Sequence, residues 1–194
     1  MMKPKQNYKF GPMDDCQTPG YALEPILPWL ELWGFYRIWE PACGDGLLVR
    51  ELERHNFTVR GTDLKTGVDF LDYNHKPDVD CIVTNPPFSI KHLFIEKCVE
   101  LGVPWFLLVP VEAIGTARVQ DALTYMPEDG SVNPTPDLGI IYTSKRINFK
   151  MPNKGWKGSG AQMPTAWYSS GVFLGNEVFD ASHWNKEYRE RFEV

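Results

Sequence analysis

Cysteine is scarce in this 194-residue sequence: Cys16, Cys43, Cys81 and Cys98 are the only four, with no CxxC pair and no histidine at ligand spacing beside them. No metal site is expected, and four thiols without a disulfide framework suit a reducing, cytoplasmic compartment. Histidine is equally sparse. His55, His75, His92 and His183 stand apart among polar neighbours, so none is assigned acid–base work. No apolar run approaches the roughly 20 residues that span a bilayer. The opening MMKPKQNYKF has lysines but no apolar stretch of the kind a secretory leader carries. Internal repeats and low-complexity tracts are absent too. The net charge of −5 speaks against binding nucleic acid by bulk charge. Acidic residues are nevertheless missing from one long stretch, between Asp137 and Glu177.

What is present is ordinary globular material, 43% hydrophobic and 23% charged, and enough of it for one domain with a substantial core. Apolar strands alternate with amphipathic helices. Strands are expected at 35–40, 57–62, 79–84, 104–110, 138–142 and 166–174. PWFLLVP, from Pro104 to Pro110, has the uniformly apolar character of a central parallel strand. One helix follows Gly46, with Leu47, Leu48 and Leu52 on one face and Asn56 as its stop. A second is expected from a Ser89 N-cap to Leu101, closed by Gly102. This order implies an α/β protein with a mostly parallel sheet. Ligands in such sheets bind beyond the carboxyl ends of the strands. Glu40–Gly46, Asp63 and Asn85–Phe88 all directly follow strands.

Glu40-Pro41-Ala42-Cys43-Gly44-Asp45-Gly46 ends a strand and opens a helix, where glycines admit a ligand to the backbone. Asp63 lies nineteen residues beyond Gly44, at the spacing of a carboxylate that accepts ribose hydroxyls. The third glycine of a pyrophosphate-binding fingerprint would fall on Val49, so a nucleoside cofactor without a pyrophosphate fits better. Asp69-Phe70 pairs a carboxylate with an aromatic, and reads either as an adenine contact or as a core Phe beside a solvent Asp. In Thr84-Asn85-Pro86-Pro87-Phe88 two prolines stiffen the backbone and remove two N–H groups, leaving carbonyls, an amide and a ring. Such a clamp suits an –NH2 group on a flat ring. An Asn85 oxygen and the Pro86 carbonyl that accept its two hydrogens gain strength as positive charge grows on the nitrogen during methyl transfer from a sulfonium. Phe88 can stack on the base.

On these residues the chain resembles the N6-adenine DNA methyltransferases that use S-adenosylmethionine, with the gamma-type motif order and the small size of phage-type or orphan enzymes. The stretch 40–46 is similar to their first cofactor motif, Asp63-Leu64 to the ribose-side acid, Asp69-Phe70 to the adenine-side motif, and Asn85-Pro86-Pro87-Phe88 to the catalytic motif. Gln17-Thr18-Pro19 is similar to the segment that contacts the methionine end of the cofactor. Arg146-Ile147-Asn148-Phe149 and Met163-Pro164-Thr165-Ala166 resemble the late region, where an aromatic holds a flipped base. The resemblance implies a Rossmann-like class I methyltransferase fold, helices on both faces and a late antiparallel strand. It also implies S-adenosylmethionine as cofactor, DNA rather than RNA as partner, and a bacterial or phage-infected cytoplasm. RNA adenine, a protein glutamine amide and a silent binding module remain alternatives. No long target-recognition domain is expected after the catalytic half within these 194 residues.

The acid-free stretch carries Lys145, Arg146, Lys150, Lys154 and Lys157, a local charge of +5 that leaves −10 on the rest. Tyr142, Phe149 and Trp156 are interleaved with these cations, a pattern suited to tracking a nucleic-acid backbone with stacking platforms. Three parts are expected: a basic arm over 1–13, a catalytic domain over 14–178, and a C-terminal helix over 179–194. Trp184, Tyr188 and Phe192 share a face of that helix, either docked on the domain or at a partner interface. Monomer and homodimer both remain open.

Overall fold

Period-two alternation along the strands sorts the core into two layers. Ile38, Cys81, Val83, Phe106, Leu108, Ile141 and Trp167 point to one face of the sheet. Trp39, Ile82, Trp105, Leu107, Val109, Ile140 and Tyr168 point to the other. Both sets are buried, and each aliphatic or phenylalanine side chain among them stabilises the fold by about 1.5–3 kcal/mol. The computed structural model describes residues 8–11, 14–124, 138–151, 163–172 and 175–192.

The elements are α1 (Leu27–Leu32), β1 (Arg37–Glu40), α2 (Leu47–Arg54), β2 (Thr58–Gly61), β3 (Cys81–Thr84), α3 (Lys91–Leu101), β4 (Trp105–Pro110), α4 (Ala117–Leu123), β5 (Gly139–Thr143), β6 (Thr165–Ser170), β7 (Asn176–Phe179) and α5 (Lys186–Glu190). They form a seven-stranded sheet of order β2-β1-β3-β4-β6-β5-β7. β6 runs antiparallel to β4 and β5, while the other neighbours pair in parallel. α1, α2 and the C-terminal segment cover the face of Ile38, and α3 and α4 cover the face of Trp39. The expected fold class is therefore observed, including the late antiparallel strand. β4 is buried along its whole length between β3 and β6, which is why its sequence shows no alternation.

Several boundaries differ from the sequence expectation. Ser89 does not cap α3. A 3-10 turn over Phe88–Ile90 leads into the helix, whose N-cap is Ile90 with no side-chain bond. Ser89 is engaged elsewhere: its N–H donates to Asp14 Oδ1 at 3.0 Å and its Oγ accepts from the Gly11 N–H at 3.0 Å. Gly102 does close α3, in the left-handed region at φ 60°. The strand expected to reach residue 174 stops at Ser170. Gly171 turns the chain at φ +78°, and a Cβ there would come within 3.1 Å of the Pro104 Cα. α1, α4 and β7 are additional to the elements expected from the sequence.

The C-terminal segment lies on the body of the same chain. Trp184 and Phe192 meet Tyr21 edge-on at 4.8 and 5.6 Å. Glu24 accepts from Trp184 Nε1 at 3.0 Å and from the Tyr188 hydroxyl, and its carboxylate faces His183 Nε2 at 2.7 Å. Among the described residues no helix is long and apolar enough to cross a membrane. Lys3, Lys5, Lys154, Trp156, Lys157 and the loop from Pro127 to Asp137 lie outside the described residues.

Candidate active site

The sheet order brings the three strand-end groups together. β2, β1 and β3 are neighbours and run in parallel, so their carboxyl ends lie side by side. Glu40 ends β1, Asp63 follows β2 and Asn85 follows β3. A cavity of about 380 Å³ opens there. Its wall includes Thr18, Glu40, Pro41, Ala42, Cys43, Gly44, Asp63, Leu64, Asp69, Phe70, Asn85 and Pro87. Pro19, Gly46, Pro86 and Phe88 stand outside that wall. Pro19 caps the 3-10 turn of Gly20–Leu23, and Gly46 is the N-cap of α2 at φ 76°.

The glycine turn is held by its neighbours in the sheet. Cys43 N–H donates to the Thr62 carbonyl at 2.9 Å, and Gly46 N–H to the Cys43 carbonyl at 2.7 Å. Asp63 Oδ2 accepts from the Gly44 N–H at 2.9 Å, and Oδ1 from the Lys65 N–H at 2.8 Å. Each carboxylate oxygen keeps further lone-pair capacity for a ligand hydroxyl. Asp69 Oδ1 caps the next 3-10 turn through the Leu71 N–H at 3.0 Å. Phe70 is buried between Trp39 and Phe94, with ring centroids 5.2 and 4.9 Å away, while still contributing to the cavity wall.

Glu40 is almost fully buried. Its Oε1 accepts from the Ala42 N–H at 3.0 Å and from the Thr84 hydroxyl, while Oε2 has no hydrogen-bond partner. Burial pushes its carboxyl up to about 8, against the lowering effect of the Thr84 and Ala42 hydrogen bonds and with a smaller push from the Asp63 charge. At neutral pH the side chain is therefore mostly protonated. Burial likewise raises the Cys43 and Cys16 thiols, with carboxylates adding to the effect, so neither is a ready thiolate. Asn85 carries the other orphan of the wall: its Oδ1 is buried with no hydrogen-bond partner.

Sequence reasoning misses part of this cavity. Tyr8, Phe10, Asp14, Asp15 and Lys65 also line it. Asp14 Oδ2 accepts from the Gly11 N–H at 2.6 Å, and Asp15 pairs with Lys65. The Tyr8 phenol reaches the Asp69 carboxylate, and burial, then Asp69 and Asp72, push it up to about 12. Nothing in MMKPKQNYKF signals this placement, because only the folded chain brings Tyr8 to Asp69. Gln17 is the residue of Gln17-Thr18-Pro19 that grips the turn, its Oε1 accepting from the Asp45 N–H at 2.8 Å.

On the side expected to meet a substrate, Phe149 is buried and meets Phe88 edge-on, with centroids 6.2 Å apart and planes at 87°. Lys150 forms an isolated antiparallel bridge with Gln17. Lys145 Nζ donates to the Ser182 carbonyl at 2.6 Å, and Arg146 is exposed while its carbonyl accepts from Arg189. Lys145 is thus tied to the C-terminal segment rather than projecting alone. Among the described residues no group of His, Cys, Asp and Glu is arranged to hold a metal.

No protein-family profile and no curated protein sequence matches the chain. Solved structures do. A Pyrococcus horikoshii protein described as an RNA methyltransferase superposes with a TM-score of 0.52 at 15% identity, over 88% of this chain and 93% of that one. A Vibrio vulnificus protein, described as a modification subunit of a type I restriction enzyme, aligns over 91% of this chain at 12% identity and a TM-score of 0.48. This chain spans about half that subunit, 48% of its length. An Agrobacterium tumefaciens protein described as an O-methyltransferase aligns at 11% identity and a TM-score of 0.41, over 75% of this chain and 77% of its own. With the strand order and the antiparallel β6, the architecture is that of the class I methyltransferase fold.

Proposed function

We propose that the protein transfers a methyl group from S-adenosylmethionine to the N6 amine of adenine in DNA. The observation that carries this reading is Asn85: a buried carboxamide oxygen without a partner, in the wall of a nucleoside-sized cavity, followed at once by two prolines that donate no hydrogen bond. A buried acceptor left unmade costs about 1–3 kcal/mol, so its retention points to a donor that arrives with the substrate.

The cavity fits the cofactor's chemistry. Asp14, Asp15, Asp63 and Asp69 face it with Lys65 as the counter-charge, an acid-rich wall that suits a cationic ligand and disfavours a pyrophosphate. Asp63 would hold the ribose, Asp69 and Phe70 the adenine, and Thr18 with the Glu40–Gly44 turn the methionine end. When bound, S-adenosylmethionine supplies an electrophilic methyl on sulfur.

The remaining steps belong to this chain's residues. Asn85 Oδ1 and the Pro86 carbonyl accept the two hydrogens of the target amine and draw its nitrogen toward tetrahedral geometry. Both acceptors strengthen as positive charge develops on that nitrogen, which lowers the barrier rather than merely tightening binding. Phe88, backed by Phe149, stacks on the base, which leaves the helix stack because its amine is otherwise paired. The amine nitrogen would take the methyl as that methyl's bond to sulfur breaks, and the resulting cationic nitrogen, strongly acidic, would release its proton to water, so no resident histidine is needed. Arg146, Lys150 and the further cations Lys154 and Lys157, with Trp156, would follow the phosphate backbone, with Lys145 at the edge of that strip. The test is labelled-methyl transfer to DNA, RNA and protein in parallel, with nucleoside analysis of the product. N6-methyladenine from DNA is expected. Label in RNA or in protein glutamine alone would move the substrate, and no transfer to any of them would remove the reading.

A further inference from the structure

Gln17 touches both halves of the site. Its backbone exchanges hydrogen bonds with Lys150 in both directions, each at 2.9 Å. Its side-chain Oε1 accepts from the Asp45 N–H at 2.8 Å. Its amide lies so close over Gly44 that a Cβ on Gly44 would come within 2.6 Å of both amide heteroatoms. Gly44 stands at φ +49° and donates its N–H to Asp63, so the turn that Gln17 covers is the one that would meet the cofactor on the proposed function.

Beyond Lys150 the same bridge governs the aromatic wall. Phe149, its neighbour in the chain, is the ring edge-on to Phe88. Two further contacts keep 148–151 in register with 16–21: the Asn148 N–H donates to the Tyr21 hydroxyl at 2.8 Å, and the Cys16 thiol lies 3.4 Å from the Met151 sulfur. A two-bond antiparallel bridge sets one register, so a displacement of Gln17 carries Lys150 and Phe149 with it. A ligand that immobilises the Gly44–Asp45 turn immobilises Gln17 by the same bonds.

We infer that Gln17 is a positioning residue that couples the cofactor turn to the Phe88–Phe149 wall, so that filling the cofactor cavity raises the affinity for the nucleic-acid substrate. This rests on the methyltransferase reading and adds a regulation of that site. The coupling is reciprocal: the nucleic acid tightens the cofactor by the same factor.

The full chain is titrated with a short adenine-containing oligodeoxynucleotide, with and without saturating S-adenosylhomocysteine. In the wild type the ligand is expected to tighten the oligonucleotide by about fivefold or more. Gln17→Met keeps the side-chain volume but loses the acceptor for Asp45. It is expected to bring that factor to about unity, read as the ratio of the variant's own oligonucleotide affinities with and without saturating S-adenosylhomocysteine, whatever the change in its affinity for each ligand alone. Amide exchange gives a second readout that needs no variant. S-adenosylhomocysteine alone is expected to slow exchange at the Lys150 N–H, which bonds to the Gln17 carbonyl rather than to the ligand. If the ligand binds the wild type but neither changes oligonucleotide affinity nor slows Lys150, the coupling is wrong while the cofactor assignment stands. A coupling factor unchanged in Gln17→Met excludes Gln17 as its carrier. If S-adenosylhomocysteine does not bind at all, the methyltransferase reading falls and takes the inference with it.

Discussion

At the scale of single residues, the buried Glu40 carboxyl and the buried carboxamide oxygen of the half-buried Asn85 make opposite demands. Asn85 needs a donor that the free protein lacks, whereas Glu40 keeps its own proton. Asn85→Ala is expected to lower methyl transfer by about 10²–10³ fold, the scale for removing one preorganised transition-state interaction. Affinity for S-adenosylhomocysteine should stay within a few-fold, and turnover with unchanged kcat would refute the role. Asp63→Ala is expected to act in reverse. Loss of hydrogen bonds to a charged group, about 1.5–3 kcal/mol each, should weaken cofactor binding roughly tenfold or more by calorimetry. Glu40 has a pH signature. Its carboxyl titrates near 8 in the fold, against an ordinary value of 4.5, so the folded state holds an extra proton between those limits. Stability contributed by this group therefore falls as pH rises from 4.5 to about 8 and is level above that, with a limiting penalty of about 5 kcal/mol. Glu40→Gln retains an acceptor for Thr84 and Ala42 without a titrating group. Urea midpoints measured across that window should lose this downward slope in the variant.

Among the elements, α3 shows how a local signal is overruled. A serine ahead of an amphipathic run reads as an N-cap, yet Ser89 is occupied by Gly11 and Asp14. The prolines at 86 and 87 bring the chain into a 3-10 turn first, so the helix starts two residues beyond Ser89. Were Ser89 a cap, Ser89→Ala would cost about 1 kcal/mol. The structure instead predicts a nearly unchanged melting temperature, because the Gly11 N–H keeps Asp14 Oδ2 and the Ser89 N–H keeps Asp14 Oδ1. A clear drop in melting temperature would restore the capping role. Contacts between distant segments explain why the local signal misleads here: Ser89 and Gly11 are far apart in the chain, and no window of sequence contains both.

For the molecule as a whole, charge is divided between two surfaces. The cavity wall is acid-rich, and the acid-free stretch holds Arg146 and Lys150 beside Phe149. Bulk charge is repulsive toward a polyanion, so binding should rely on the local strip and be steeply salt-dependent. Replacing Arg146 and Lys150 together by alanine leaves the Lys150 backbone bridge intact. It should make the slope of log affinity against log salt shallower by roughly one for each phosphate no longer neutralised. An unchanged slope would place the nucleic acid elsewhere.

Fold class, the parallel strands β1 to β4 and the residues that end them are legible in the chain before it folds, because they follow from local periodicity and from glycine and proline chemistry. Glu40, Gly44, Asp63 and Asn85 could be picked out for that reason, and the sheet order then sets them side by side. What closes the cavity and what joins its halves is settled only by the folded molecule. Tyr8 at Asp69, Asp14 at Ser89, Asp15 at Lys65 and Gln17 at Lys150 are each a pairing of residues distant in the chain. Such pairings leave no periodic trace, since each depends on where two separately legible segments meet after the core has formed.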